Sequence, residues 1–116
     1  MNPLINEIII KKSRFICLLY EVDDINIINN IINNLKLEYK RATHITYAYI
    51  INNHEKYFDD KEPKGSAGLP ILNVLKRNNK TNTLAVVIRY YGGIKLGIGP
   101  LIRSYSKVVS ESIKKN

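Results

Sequence analysis

The sequence predicts an α+β fold, a two-layer sandwich with one four-stranded mixed sheet and helices on one of its faces. Three observations carry that reading. Four runs rich in Ile, Val, Tyr and Thr alternate with a period of two, the spacing of a strand. Three other segments repeat apolar residues every three or four positions, the spacing of a helix with one buried stripe. Their order, β-β-α-β-α-β-α, opens on two strands and so departs from the strand–helix alternation of a doubly wound sheet. A chain of 116 residues has room for one modest core, so residues 1–116 are read as a single domain.

Each element has a local reason. Residues 5–10 and 14–22 read as a hairpin joined at Lys11-Lys12-Ser13. In the second strand Phe15, Cys17 and Leu19 face one way and Ile16, Leu18 and Tyr20 the other, so it is expected to be covered on both faces. Asp23 or Asp24 caps a helix to about Tyr39, with Ile28, Ile31, Ile32 and Leu35 buried and its asparagines outward. Those asparagines are poor helix formers, so packing has to hold the segment. Residues 42–51 alternate as a third strand, and the polar residues 52–65 read as a loop. Ser66 is the expected N-cap of a helix to Arg77 that buries Ile71, Leu72 and Leu75. After a turn at 78–82, residues 83–91 form the most apolar strand. The last helix runs from Pro100 to Ile113 and buries Leu101, Tyr105, Val108, Val109 and Ser112.

Charge is unevenly distributed within the net +8. Residues 1–63 hold eight Lys or Arg and nine Asp or Glu, whereas residues 64–116 hold ten basic residues and a lone acid, Glu111. The first part is therefore at −1 and the second at +9, a field that attracts polyanions. No apolar run is long enough to cross a bilayer, so no membrane partner is expected, and the N-terminus, with Glu7 and no basic start, does not read as a signal peptide. The single cysteine, Cys17, leaves no internal disulfide or thiolate zinc cluster and suits a cytoplasmic setting as a buried, inert thiol.

The stretch from Val86 to Pro100 is the most unusual. A β-branched run ends in Arg89-Tyr90-Tyr91, passes Gly92, Gly93, Gly97 and Gly99, and enters a helix. A glycine turn before a helix start offers backbone N–H donors to an anion. Arg89, Tyr90, Lys95, Arg103 and Lys107 are the accompanying candidates for an anion or RNA site, although neither a P-loop nor a dinucleotide fingerprint is present. Arg89, if buried, needs a carboxylate, and Asp59, Asp60 and Glu62 are the suppliers. Those three, with His44 or His54, read as caps and ion pairs, since their spacing matches no metal motif. No nucleophile constellation is apparent, and no catalytic residue, metal or cofactor is assigned. Among Tyr47, Tyr49, Tyr90, Tyr91 and Tyr105, at least three are expected to be core residues with hydroxyls at the rim, and the rest are available to stack on bases.

Several blocks, in order, resemble the IMPACT/YigZ-type family. They are Lys12-Ser13-Arg14-Phe15-Ile16, Ala42-Thr43-His44 with Tyr47-Ala48-Tyr49, Asp59 to Leu72, Arg89 to Gly99, and Leu101-Ile102-Arg103-Ser104-Tyr105, together covering roughly residues 11–110. Lys61, Lys64, Leu69 and Pro100 depart from the usual pattern. The resemblance implies a fold similar to a ribosomal small-subunit protein domain and to the fourth domain of elongation factor G. It implies no catalytic chemistry. Eukaryotic members are regulators of translation under amino-acid starvation that compete for an activator of the kinase acting on an initiation factor. Bacterial members point to nucleic-acid or ribosome binding. A single-domain form is expected here, with neither the extra N-terminal domain of the eukaryotic members nor the ferredoxin-like C-terminal domain of the bacterial ones.

The leading expectation is a non-enzymatic module linked to translation that contacts RNA or the ribosome through a basic face and the glycine loop. The alternatives are a protein–protein adaptor of the translation or stress-response machinery and an enzyme that binds a small phosphorylated ligand, with Asp59, Asp60 or His44 as acid–base groups.

Overall fold

The structure is a computed structural model and describes residues 2–115. Five strands form one antiparallel sheet in the order β1-β2-β5-β3-β4. They are β1 (Leu4–Ile10), β2 (Ser13–Glu21), β3 (His44–Ile51), β4 (His54–Phe58) and β5 (Thr83–Tyr90). The helices are α1 (Ile28–Glu38), preceded by a 3₁₀ turn at Ile25–Ile27, α2 (Gly68–Arg77) and α3 (Ile98–Lys114). The α+β class is as read from the sequence. The strand count is five rather than four, the sheet is wholly antiparallel rather than mixed, and the helices do not all lie on one face.

The third difference follows from residue alternation in the central strands. Phe15, Cys17, Leu19, Ala48, Ile50, Ala85 and Val87 face α2 and α3, packing on Ile71, Leu75, Tyr105 and Val108. Ile16, Leu18, Tyr20, Ile45, Tyr49, Val86 and Ile88 face the other way, onto Ile28, Ile32 and Leu35 of α1. Helices on both sides explain why β2 and β5 are apolar on both faces. Cys17 is fully buried, and burial pushes its thiol up to about 12.

The strand that sequence alternation missed is β4. Its five residues, His-Glu-Lys-Tyr-Phe, are all exposed, so no buried face marks them. It pairs with β3 through a two-residue turn in which Asn52 takes φ +55°, a left-handed conformation that asparagine tolerates. Charged side chains suit such an edge, where an unpaired backbone would otherwise recruit another strand.

Helix starts also differ from expectation. Asp24 caps the 3₁₀ turn by accepting from Asn26 N–H at 2.9 Å, and regular α-helix begins only at Ile28. Ser66 does not cap α2. Its hydroxyl donates back to the Pro63 carbonyl, and the free amides at the helix start are taken by Asp59 instead.

Candidate functional site

Strand register brings distant parts of the chain to one end of the sheet. Arg89, the penultimate residue of β5, lies opposite Phe15 of β2 on one side and His44 of β3 on the other. The β1–β2 hairpin tip, the start of β3, the loop 59–67 and the glycine loop 91–97 all converge there.

Arg89 is 5% exposed and needs a counter-charge. Glu62, itself 7% exposed, supplies it: Nη1 donates to Glu62 Oε2 at 2.7 Å and to Oε1 at 3.0 Å. Of the three suppliers anticipated, Glu62 is the one used. Tyr105, in the middle of α3, donates its hydroxyl to Glu62 Oε2, and Arg89 Nη2 donates to Ser13 Oγ at 3.3 Å. Burial, reinforced by the Glu62 charge, pushes the Tyr105 hydroxyl far up, so it remains a donor at any physiological pH. The guanidinium lies 5.3 Å from the Phe15 ring centroid and 5.8 Å from that of Tyr91. His44 completes the group. Its Nδ1 donates to the Asp60 carbonyl at 2.6 Å, because a carbonyl can only accept, and its Nε2 stands 3.5 Å from Glu62 Oε1.

The other two acids are turned inward as well. Asp59 Oδ1 accepts from Gly68 N–H at 2.8 Å and Ala67 N–H at 3.2 Å, while Oδ2 accepts from Gly65 N–H at 2.9 Å. A carboxylate collecting amides at a helix start neutralises orphan donors and faces the positive end of the helix dipole. Asp60 Oδ2 accepts from Ile45 N–H at 2.6 Å, which ties the loop to β3. Asp59, Asp60 and His44 are thus structural fasteners in this geometry.

The glycine loop divides into an anchored part and an open part. Tyr91 N–H donates to Thr43 Oγ1 at 2.9 Å and Gly92 N–H to Ser13 Oγ at 3.2 Å, so these two amides are taken internally. Gly92 has a steric reason to be glycine, since a Cβ there would overlap the Lys12 carbonyl. Gly93 has φ +91° and open space around it, a conformation that only glycine adopts without strain. Beyond it Lys95, Gly97 and Gly99 are exposed, as is Arg103 on the first turns of α3, and among the described residues no side chain caps that helix at Gly97. Lys107 is exposed too and lies 4.0 Å from Glu111. Tyr90 points to the opposite face, with Arg14 stacked 5.1 Å above its ring.

Sequence reasoning missed Lys11 and Lys12 as neighbours of the glycine loop. Both are exposed at the hairpin tip with φ of +47° and +69°, and their half of the chain looks acidic when averaged. The antiparallel partnership of Arg14 with Tyr90 carries the tip to the level of Gly92. The signal that could have found them is the hairpin followed by the most apolar strand, because such strands pair centrally. Ser13 and Thr43 were also unassigned, and each holds one loop amide.

Between these parts lies a depression of about 320 Å³, lined by Thr43, His44, Glu62, Arg89, Tyr91 and Lys95, with Pro63, Leu96 and Leu101 completing its wall. A wider hollow of about 870 Å³ lies at the far end of the sheet, between β1, β2 and the 80–83 turn, away from all the candidate residues.

Fold and site together define a small α+β domain whose one end pairs a sealed ionic core with an open, cation-rimmed glycine turn. The chain belongs to the IMPACT family: residues 11–113 match the model of the Impact N-terminal domain. It is 50% identical over 111 residues to the IMPACT family member YvyE of Bacillus subtilis, covering 93% of this chain and 51% of that protein. It is 34% identical over 110 residues to the IMPACT family member YigZ of Escherichia coli, covering 90% of this chain and 54% of that one. The chain therefore spans about half the length of these curated relatives. Among solved structures, a crystal structure of a hypothetical protein superposes with a TM-score of 0.93 at 33% identity, over 98% of this chain and 58% of the other. The two-domain translational regulator Yih1 shares the fold at a TM-score of 0.51 and 17% identity, over 96% of this chain and 45% of its own.

Proposed function

We propose that this chain is a non-enzymatic, translation-linked binding module of the cytoplasm that contacts RNA or the ribosome through the rim of the glycine loop. One observation carries the reading. The acids at this end of the sheet are held by internal donors, Glu62 buried and Asp59 and Asp60 half-buried, while Lys11, Lys12, Lys95 and Arg103 stand exposed; Lys107, further along α3, is exposed too but lies 4.0 Å from Glu111. A surface from which negative charge has been withdrawn attracts phosphates from a distance and holds them at close range. The fold shared with a translational regulator supports the link to translation.

The test is the salt dependence of binding to single-stranded RNA, followed by fluorescence anisotropy. Affinity should fall steeply with added salt, and Lys95→Ala and Arg103→Ala should each reduce the log–log slope by about one. A flat response to salt overturns the reading. A second reading, a protein adaptor in stress regulation of translation, is favoured by the exposed side chains of Ile94, Ile98 and Ile102, apolar groups that RNA phosphates do not need. Recovery of one protein partner from a nuclease-treated extract, lost on Ile98→Asp, would favour the adaptor.

A further inference from the structure

Left-handed backbone is used differently at the two ends of the sheet. Among the described residues, seven besides glycine take φ between +46° and +69°. At the far end they are Asn52, Asn79 and Asn82, a residue type whose short amide tolerates that conformation. Asn82 Oδ1 also accepts from Asn52 N–H there, at 3.2 Å. At the end that carries Arg89 they are Asp60, whose carboxylate accepts from Ile45 N–H, and three lysines: Lys11, Lys12 and Lys61. A lysine in this conformation is strained, because its Cβ crowds the following carbonyl oxygen. Nothing among the described residues offsets that strain. The three lysines are exposed and form no ion pair, whereas Lys76 and Lys107 lie 3.5 Å from Glu55 and 4.0 Å from Glu111.

The hairpin tip shows the conflict most plainly. Ile10 pairs with Ser13, so Lys11-Lys12 is a two-residue turn with positive φ at both positions, the geometry for which Asn-Gly is favoured. Two like charges stand there instead. Lys61 is held between Asp60, tied to β3, and Glu62, tied to Arg89 on β5. The strand order puts the tip on the β2 side of β5 and Lys61 on the β3 side, so the two strained turns flank the glycine loop. We infer that Lys11, Lys12 and Lys61 contact successive phosphates of a nucleic-acid backbone, and that the turns keep lysine for that ligand against the preference of the fold. Phosphate contacts set position and carry no sequence information, so the footprint has no base preference. The inference rests on the RNA reading above and adds to it Lys61 and a loss of stability at three named positions.

The test measures stability and binding on the same variants of the intact chain, with a labelled oligouridylate as the RNA. Lys11→Asn combined with Lys12→Gly gives the hairpin its favoured turn and should raise the thermal midpoint by about 4 °C or more. The same variant should bind RNA about tenfold more weakly near 0.1 M salt, with the log–log salt slope lowered by about two. Lys61→Asn should move both readouts in the same directions, with the slope lowered by about one. Lys80→Asn, in the turn at the far end of the sheet, removes an equal charge and should leave affinity within about twofold of the parent. Unchanged RNA binding in the hairpin variant, an equal loss with Lys80→Asn, or a lowered midpoint in the hairpin or Lys61 variant overturns the inference. If the parent still binds RNA with a steep salt dependence in any of those cases, the basic face stands and only the strained lysines lose their role. A parent indifferent to salt overturns the RNA reading itself, and the footprint with it.

Discussion

Two loops meet at the same end of the sheet and treat their charges in opposite ways. The loop 59–67 turns its acids into the protein: Asp59 on three amides, Asp60 on Ile45 N–H, Glu62 on Arg89 and Tyr105. Among the described residues, the loop 91–97 engages its first two amides internally and leaves Lys95 to solvent. Whether a charged group is available to a ligand thus depends on its existing partners and not on its position. Counting ionisable residues near a site overstates what a ligand meets, because a carboxylate bound by several donors presents little charge outward.

The largest blow to this contrast should come from the buried pair. Arg89→Met strands Glu62 without its counter-ion and should cost about 3–5 kcal/mol in urea unfolding. Adding Glu62→Leu should recover part of the loss; a single variant as stable as the parent would deny the pair its structural role. Next, Gly92→Ala drives a Cβ against the Lys12 backbone and should cost about 3 kcal/mol, measured the same way, because the hairpin tip or the loop must move. Third, Asp59→Ala removes an acceptor shared by three amides and should cost about 2 kcal/mol, with faster hydrogen exchange at Gly65, Ala67 and Gly68 as the local signature.

Smaller effects refine the contrast. Cys17 keeps its proton in the folded chain up to about 12, whereas an ordinary thiol releases it near 9.0. The raised value makes its contribution to stability full below 9.0 and lost as pH climbs toward 12. The loss should be about 1 kcal/mol between pH 8 and 10, and Cys17→Ala should remove that part of the slope. Tyr20, also pushed up to about 12 by burial, adds a further alkaline decline in the same direction. Least of all, Lys95→Ala and Arg103→Ala should leave stability within about 0.5 kcal/mol of the parent, as surface changes do. A large thermal destabilisation by either would mean that the open loop is tied into the fold as firmly as the closed one.

Much of this was legible in particular residues. Alternation at 14–22 indicated a strand covered on both faces, the apolar run at 83–91 indicated the most buried strand, and the stripe Leu101, Tyr105, Val108, Val109 and Ser112 is buried as its spacing requires. The need of a buried Arg89 for a carboxylate was readable from the apolar run before it. What escaped notice has physical causes. β4 has no buried face, so its pairing is a property of the backbone alone. Ser66 looks like a cap by its type and place, but Asp59, nine residues before Gly68, reaches the same amides with a full negative charge. Tyr90 and Tyr91 are adjacent in sequence yet face opposite sides of the sheet, so only one of them can border the depression.

The order of residues alone set the periodicities, and hence which segments are strands or helices and which side of each is apolar, because those depend on neighbours two to four residues away. It also set the excess of cations after residue 63. Folding in three dimensions was needed to place α1 on the other face, to bring Glu62 rather than its neighbours to Arg89, and to add Lys11 and Lys12 to the rim of a loop far later in the chain. Those outcomes depend on strand order and register, which set distances between residues remote in the chain, and no local pattern encodes them.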